Sequence, residues 1–227
     1  MNPQDGTFFS AILFDMDGTL VNTEPLWLVS ETELMNEYGY AWTSQDQANC
    51  LGGPLDRVGE YMHDLAGKVE SPEFFRDSLI ARMAEKLHKG AVLMDGADEL
   101  LQVCAQFGIP VALVSASPRV LINAVLESLP DHRFLVSISS DDVKNTKPDP
   151  EGYLKSADLL GVNITECLIL EDSLTGVKAA QASGGFVVAI PHLVPIVESA
   201  RVKVVNTVRE LDREKLISLF NEWNPNP

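Results

Sequence analysis

Short apolar runs, each followed by turn-forming residues and then by a helical stripe, constrain the fold of this chain more than any other feature. A strand that is apolar along its whole length is covered on both faces. Such strands alternating with helices read as a parallel sheet with helices on both sides. From Gly96 onward the alternation is regular. Ala97, Leu100, Leu101 and Cys104 form a helical stripe ending at Gly108, and Val111 to Val114 is the next buried strand. A helix over 119–129 follows. Strands near 135–139, 167–170 and 186–190 are separated by helices at 152–160 and 174–182. A short strand at 202–205 then precedes a helix over about 211–223.

The first strand stands apart from this series. Ala11, Ile12, Leu13 and Phe14 form a buried run, but after Leu20 the pattern turns helical. Asn22 or Thr23 is the expected N-cap, Pro25 lies in the first turn, and Trp27, Leu34 and Tyr38 follow one face before Gly39. The segment 55–65 is compatible with a second helix. Phe75, Leu79, Met83 and Leu87 then recur at four-residue spacing until Gly90. No strand pattern occurs between about Thr23 and Lys89. The chain is therefore expected to be α/β: a doubly wound, Rossmann-like parallel sheet built from 1–21 and 92–227, with an all-helical domain inserted at 22–91.

Charge narrows the partners. Among 227 residues, 33 acidic against 17 basic side chains give a net charge of −16, which opposes nucleic acid and anionic membrane surfaces. Cys50, Cys104 and Cys167 are widely separated and lack metal-ligand spacing, so they read as buried free thiols. The segment MNPQDGTFFS has no basic region followed by an apolar core, and no apolar run is long enough to cross a bilayer. A soluble, cytoplasmic monomer is the expectation.

In a parallel α/β sheet, function gathers beyond the C-terminal ends of the strands. The first strand here ends in Asp15 and Asp17, followed by Gly18 and Thr19. The second ends in Ser115, Ala116 and Ser117; Lys147 follows the third in NTKPDP; the fourth ends in Glu171 and Asp172. Singly, each has an ordinary structural use: Ser117 as the N-cap of a helix with Pro118 at its first position, Asp172 or Ser173 as the cap of the next. Together they place four carboxylates, a hydroxyl and an ammonium on one edge. Four such carboxylates cannot all be ionised without a cation, and an oxygen-rich site suits Mg2+. Lys147, Ser115 and nearby backbone N–H groups supply what phosphate oxygens need. A carboxylate nucleophile beside bound phosphate is arranged for phosphoryl transfer.

The segments FDMDGTL, LVSAS, TKPDP and LEDS, in that order, resemble the four motifs of the haloacid dehalogenase superfamily, in its branch of β-phosphoglucomutase-like phosphatases with a helical cap. The resemblance covers nearly the whole chain. It implies that Asp15 is the nucleophile and a Mg2+ ligand, and that Asp17 is the general acid and base while its carbonyl also meets the metal. It implies further that Asp172 binds Mg2+, with Glu171 as a ligand or behind one. Ser115 and Lys147 would hold the transferring group, assisted by the amides of Ala116 and of the loop from Asp17 through Gly18 to Thr19. Two departures stand out. Where β-phosphoglucomutase has a phosphate-binding arginine and a supporting histidine in its cap, this chain has Asp56 and Trp27.

The expected activity is Mg2+-dependent hydrolysis of a small phosphorylated metabolite, a sugar phosphate by preference, through an aspartyl-phosphate intermediate. Hexose-phosphate mutation of the β-phosphoglucomutase type is the alternative, with Arg57 as its substitute cation. Asp17 argues against a dehalogenase, because a halide leaves without protonation and an alkoxide does not. A phosphorylatable receiver domain carries its nucleophile on the third strand and has no place for the helical insertion. The cap segment Leu51 to Leu55 offers little charge, which suits a neutral sugar or polyol leaving group.

Overall fold

The computed structural model describes residues 8–50, 54–129, 131–191 and 195–224. Among them, six strands form one parallel sheet: β1 (Ile12–Phe14), β2 (Val111–Val114), β3 (Phe134–Ile138), β4 (Leu168–Glu171), β5 (Phe186–Ala189) and β6 (Val202–Val204). Their order is β3-β2-β1-β4-β5-β6. The chain thus winds outward from β1 in one direction and, from β4, in the other, so the order reverses between β1 and β4. Phe14 lies opposite Leu113 on one side and Leu170 on the other. That reversal opens a crevice at the C-terminal ends of β1 and β4.

Along β1, β2, β4 and β5, residues alternate between the two faces of the sheet. Ile12, Phe14, Val111, Leu113, Leu168 and Leu170 point into one core. It is covered by α5 (Ala97–Gln106), α6 (Arg119–Ser128) and α9 (Arg213–Trp223), through Leu100, Leu121, Ile122, Leu216 and their neighbours. Leu13, Ala112, Val114 and Ile169 point into the other core. There α7 (Glu151–Leu160) contributes Tyr153 and Ala157, and α8 (Leu174–Ser183) contributes Val177 and Ala180. The doubly wound architecture read from the sequence is therefore the observed one, with boundaries within about two residues.

Between β1 and α5 the chain is helical: α1 (Glu24–Asn36), α2 (Ser44–Cys50), α3 (Leu55–Leu65) and α4 (Pro72–His88). The segment leaves and re-enters the sheet layer side by side, since Asn22 N donates to Val92 O and Met94 N to Leu20 O. Leu34, Met35, Cys50, Val58, Met62, Phe75 and Leu79 form a third buried cluster. The four-residue stripe on α4 divides between two cores. Phe75 and Leu79 belong to the helical cluster, whereas Met83 and Leu87 pack into the sheet's core. Helix α2 is an addition to the sequence reading: SQDQANC buries only Asp46 and Cys50, too few to set a period.

All three cysteines are buried and free, and burial pushes each thiol up to about 12. They are inert packing residues. Among the described residues, no helix is long and apolar enough to cross a membrane.

Candidate active site

The acidic residues meet at the crevice. Asp15 follows β1 directly, and its amide continues the ladder by donating to Leu170 O at 3.0 Å. Its side chain is buried. The chain then turns sharply at Gly18, whose φ of +77° disfavours any side chain. A Cβ there would stand 2.3 Å from Asp172 Oδ2, so the glycine lets the turn close against that carboxylate. Glu171 ends β4 and is fully buried. Thr19 is buried as well, and its Oγ1 has no hydrogen-bond partner among the described residues.

Lys147 joins the elements. Its Nζ donates to Asp15 Oδ1, to Val114 O at 2.9 Å and to Glu171 Oε1 at 2.6 Å. All three ammonium donors are engaged. Beneath it, the ring centroid of Tyr153 lies 5.1 Å from Nζ, and the Tyr153 hydroxyl donates to Glu171 Oε1 at 2.6 Å. Burial and the Glu171 charge push the Asp15 carboxyl well above the usual range, against the pull of Lys147. Burial, Asp15 and Glu171 do the same to Asp172. Burial lowers Lys147, but Asp15 and Glu171 outweigh it and hold the ammonium charged.

Asp17 is held differently. Thr23 Oγ1 donates to Oδ1 at 2.8 Å, Ser117 Oγ to Oδ2 at 2.9 Å, and Ser115 Oγ to Oδ2 at 3.3 Å. Two expectations change here. Ser117 does not cap α6, whose N-cap is Pro118; its hydroxyl holds Asp17 instead. Thr23 is the N-cap of α1 by position but makes no capping bond, because its hydroxyl also turns to Asp17. Ser173, by contrast, caps α8 as read, accepting from Gly176 N at 3.0 Å. The exposed Ala116 lies in the turn after β2, between the two serines.

Asp15, Glu171 and Asp172 each offer a carboxylate oxygen, and these atoms lie within 4.8 Å of one another. Three mutually repelling carboxylates with one ammonium between them are under-compensated. Hard oxygen donors at that spacing fit a divalent cation such as Mg2+. The Asp17 carboxylate is not among them, consistent with its hydroxyl partners.

On the helical side, Trp27 is partly buried and touches both the sheet's core and the helical cluster. Asp56 Oδ1 accepts from Arg76 at 2.7 Å, so the anion on α3 carries its own counter-charge from α4. Arg57 is exposed. Residues 51–53 of the expected cap segment lie outside the described residues.

A family model described as haloacid dehalogenase-like hydrolase matches residues 12–190. The chain is 31% identical over 185 residues to hexitol phosphatase B of Escherichia coli (strain K12), covering 80% of this chain and 83% of that protein. Two Arabidopsis thaliana relatives are longer. The chain spans 18% of Suppressor of quenching 1 at 32% identity, and 58% of a bifunctional riboflavin kinase/FMN phosphatase at 30%. Among solved structures, β-phosphoglucomutase from Clostridium difficile superposes with a TM-score of 0.80 at 22% identity, covering 96% of this chain and 100% of that one. That likeness concerns the fold.

Proposed function

Because this chain belongs to the haloacid dehalogenase-like hydrolase family, we propose that it is a Mg2+-dependent phosphatase acting on a small phosphorylated sugar or polyol. One observation carries the reading. Two carboxylates at the end of one strand are prepared for different work, Asp15 by an ammonium and Asp17 by hydroxyls.

In this reading Asp15 attacks phosphorus, the P–O bond to the leaving group breaks, and Asp17 protonates the departing alkoxide. Asp17, now a carboxylate, takes a proton from water; the water oxygen attacks phosphorus and releases inorganic phosphate and free Asp15. Lys147 and Ser115 hold the transferring group, exchanging contacts they now make with Asp15 and Asp17, assisted by the amides of Ala116 and Thr19; the expected Gly18 amide is instead committed to Val21 O at 2.9 Å within the turn. The unpartnered Thr19 hydroxyl supports a polar ligand at that turn. Mg2+, held by Asp15, Asp172 and the Asp17 carbonyl with Glu171 as ligand or support, would offset the carboxylates' repulsion of a phosphate dianion.

Residues 22–91 act as a cap that excludes water over a core of 1–21 and 92–227. The paired crossing at residues 20–22 and 92–94 and the separate helical cluster support that division. The hexitol phosphatase relative supports a polyol leaving group. A cytoplasmic monomer remains the reading, in keeping with the reduced thiols.

The test is phosphate release from a panel of sugar, polyol and nucleotide phosphates, with Mg2+ and with chelator. Turnover of a sugar or polyol phosphate only when Mg2+ is present is expected. Full activity in chelator removes the metal, and no turnover of any ester overturns the assignment.

A further inference from the structure

We propose that Tyr153 is a positioning residue of this site, whose hydroxyl acts through Glu171 to fix Lys147 and, through Lys147, the Asp15 carboxylate. The proposal rests on the phosphatase reading above. Tyr153 lies on α7, outside the four short segments FDMDGTL, LVSAS, TKPDP and LEDS, and it is fully buried.

The geometry forms one continuous chain. Glu171 Oε1 accepts from the Tyr153 hydroxyl and from Lys147 Nζ, both at 2.6 Å. Behind the carboxylate lies Gly176 of α8, where a Cβ would stand 1.9 to 2.0 Å from its atoms, and Ser173 Oγ lies 3.4 Å from Oε2. Glu171 is therefore clamped between a glycine surface and three donors, Tyr153 and Lys147 on Oε1 and the longer Ser173 contact on Oε2. Lys147, clamped in turn by Glu171 and Val114 O, presents its remaining N–H to Asp15. Packing alone does not explain a tyrosine here. A phenylalanine would fill the same space without a buried hydroxyl, which is unfavourable unless it is hydrogen-bonded. The hydroxyl instead supplies a second donor to that buried carboxylate oxygen without adding a second positive charge that would repel Lys147.

Partners that orient such groups from behind are typically worth about 10- to 100-fold in activity when removed. The test is Tyr153→Phe, which keeps the ring beneath Lys147 and removes only the hydroxyl. With the best substrate from the panel, kcat is expected to fall about 10- to 100-fold with KM within about threefold of the parent. Misplacement should harm recognition of the transition state more than of the ground state. By calorimetry with Mg2+ present, orthovanadate should therefore bind more weakly by a similar factor, while inorganic phosphate changes little. In a Glu171→Gln background, Tyr153→Phe should add little further loss, because both act on one chain of contacts.

If the parent hydrolyses no ester, the phosphatase reading fails first. If the parent is active and Tyr153→Phe keeps kcat within twofold, this proposal alone is overturned. It is also overturned if the loss of kcat is additive with Glu171→Gln and tracks a fall in unfolding midpoint, which marks a packing role.

Discussion

Asp15 and Asp17 are two residues apart and of one chemical type, yet their surroundings separate them. Asp15 is buried against an ammonium; Asp17 is partly open and ringed by hydroxyls from Thr23, Ser115 and Ser117. The assigned roles follow that contrast, so Asp17→Asn should lower kcat by about 10²- to 10⁴-fold. Its carboxylate lies outside the group of three carboxylates that could hold a metal ion, so Mg2+ affinity measured by calorimetry should change little. A variant with undiminished turnover removes Asp17 from proton transfer, and a collapse of Mg2+ binding shows that its carboxylate is a ligand. Asp15, Asp17, Ser115, Glu171 and Asp172 were legible in the sequence because each closely follows an apolar run, whereas Lys147 was legible only through its segment NTKPDP, in the loop well beyond β3. Thr23, Ser117 and Tyr153 were not legible in their roles. Their partners lie 6, 100 and 18 residues away in the chain, and no spacing rule links a helix N-cap, a loop serine or a core tyrosine to those carboxylates.

At the scale of elements, periodicity revealed which residues of α4 are buried but not what they are buried against. Phe75, Leu79, Met83 and Leu87 obey one spacing, and the fold assigns them to two cores. The polar interior of the helical insertion was equally hidden. Glu31, on α1, is buried and accepts from Trp42 Nε1 at 3.1 Å, and burial pushes its carboxyl up to about 7. In the unfolded chain it ionises near the ordinary value of 4.5. The folded state therefore holds the proton over a range where the unfolded state has lost it. Stability from this residue is fully present below about 4.5, falls as pH rises, and is lost above about 7, by on the order of 3 kcal/mol. Glu31→Gln keeps an acceptor for Trp42 and cannot ionise. Urea unfolding should show the variant gaining on the parent between pH 5 and pH 8. Parallel curves across that range would show that the ionised carboxylate finds compensation within the insertion.

For the whole molecule, the alternation of strands and helices predicted a doubly wound sheet, but the placement of β4 beside β1 is a property of the crossovers. That adjacency brings Glu171 and Asp172 to Asp15, and no local pattern announces it. The same scale decides between hydrolysis and mutation. A mutase must hold a bisphosphate in two orientations, which requires a cationic contact from the cap for the distal phosphate. By the sequence resemblance, Asp56 stands where that cation would be. Arg76, its partner at 2.7 Å, also binds Asp77 at 2.8 Å, so that guanidinium is already shared between two carboxylates. One guanidinium between two carboxylates leaves a net negative charge in place of the cation a distal phosphate needs. At about 4 Å and an effective dielectric near 20, such a like-charge contact is unfavourable by on the order of 4 kcal/mol before solvent screening. We therefore expect irreversible release of inorganic phosphate and no stimulation by a hexose 1,6-bisphosphate. With β-glucose 1-phosphate and a trace of the bisphosphate, free phosphate should rise while glucose 6-phosphate does not. Predominant glucose 6-phosphate would overturn the hydrolytic assignment, and its loss in Arg57→Ala would then identify the exposed arginine on α3 as the cation that replaces the one Asp56 displaced.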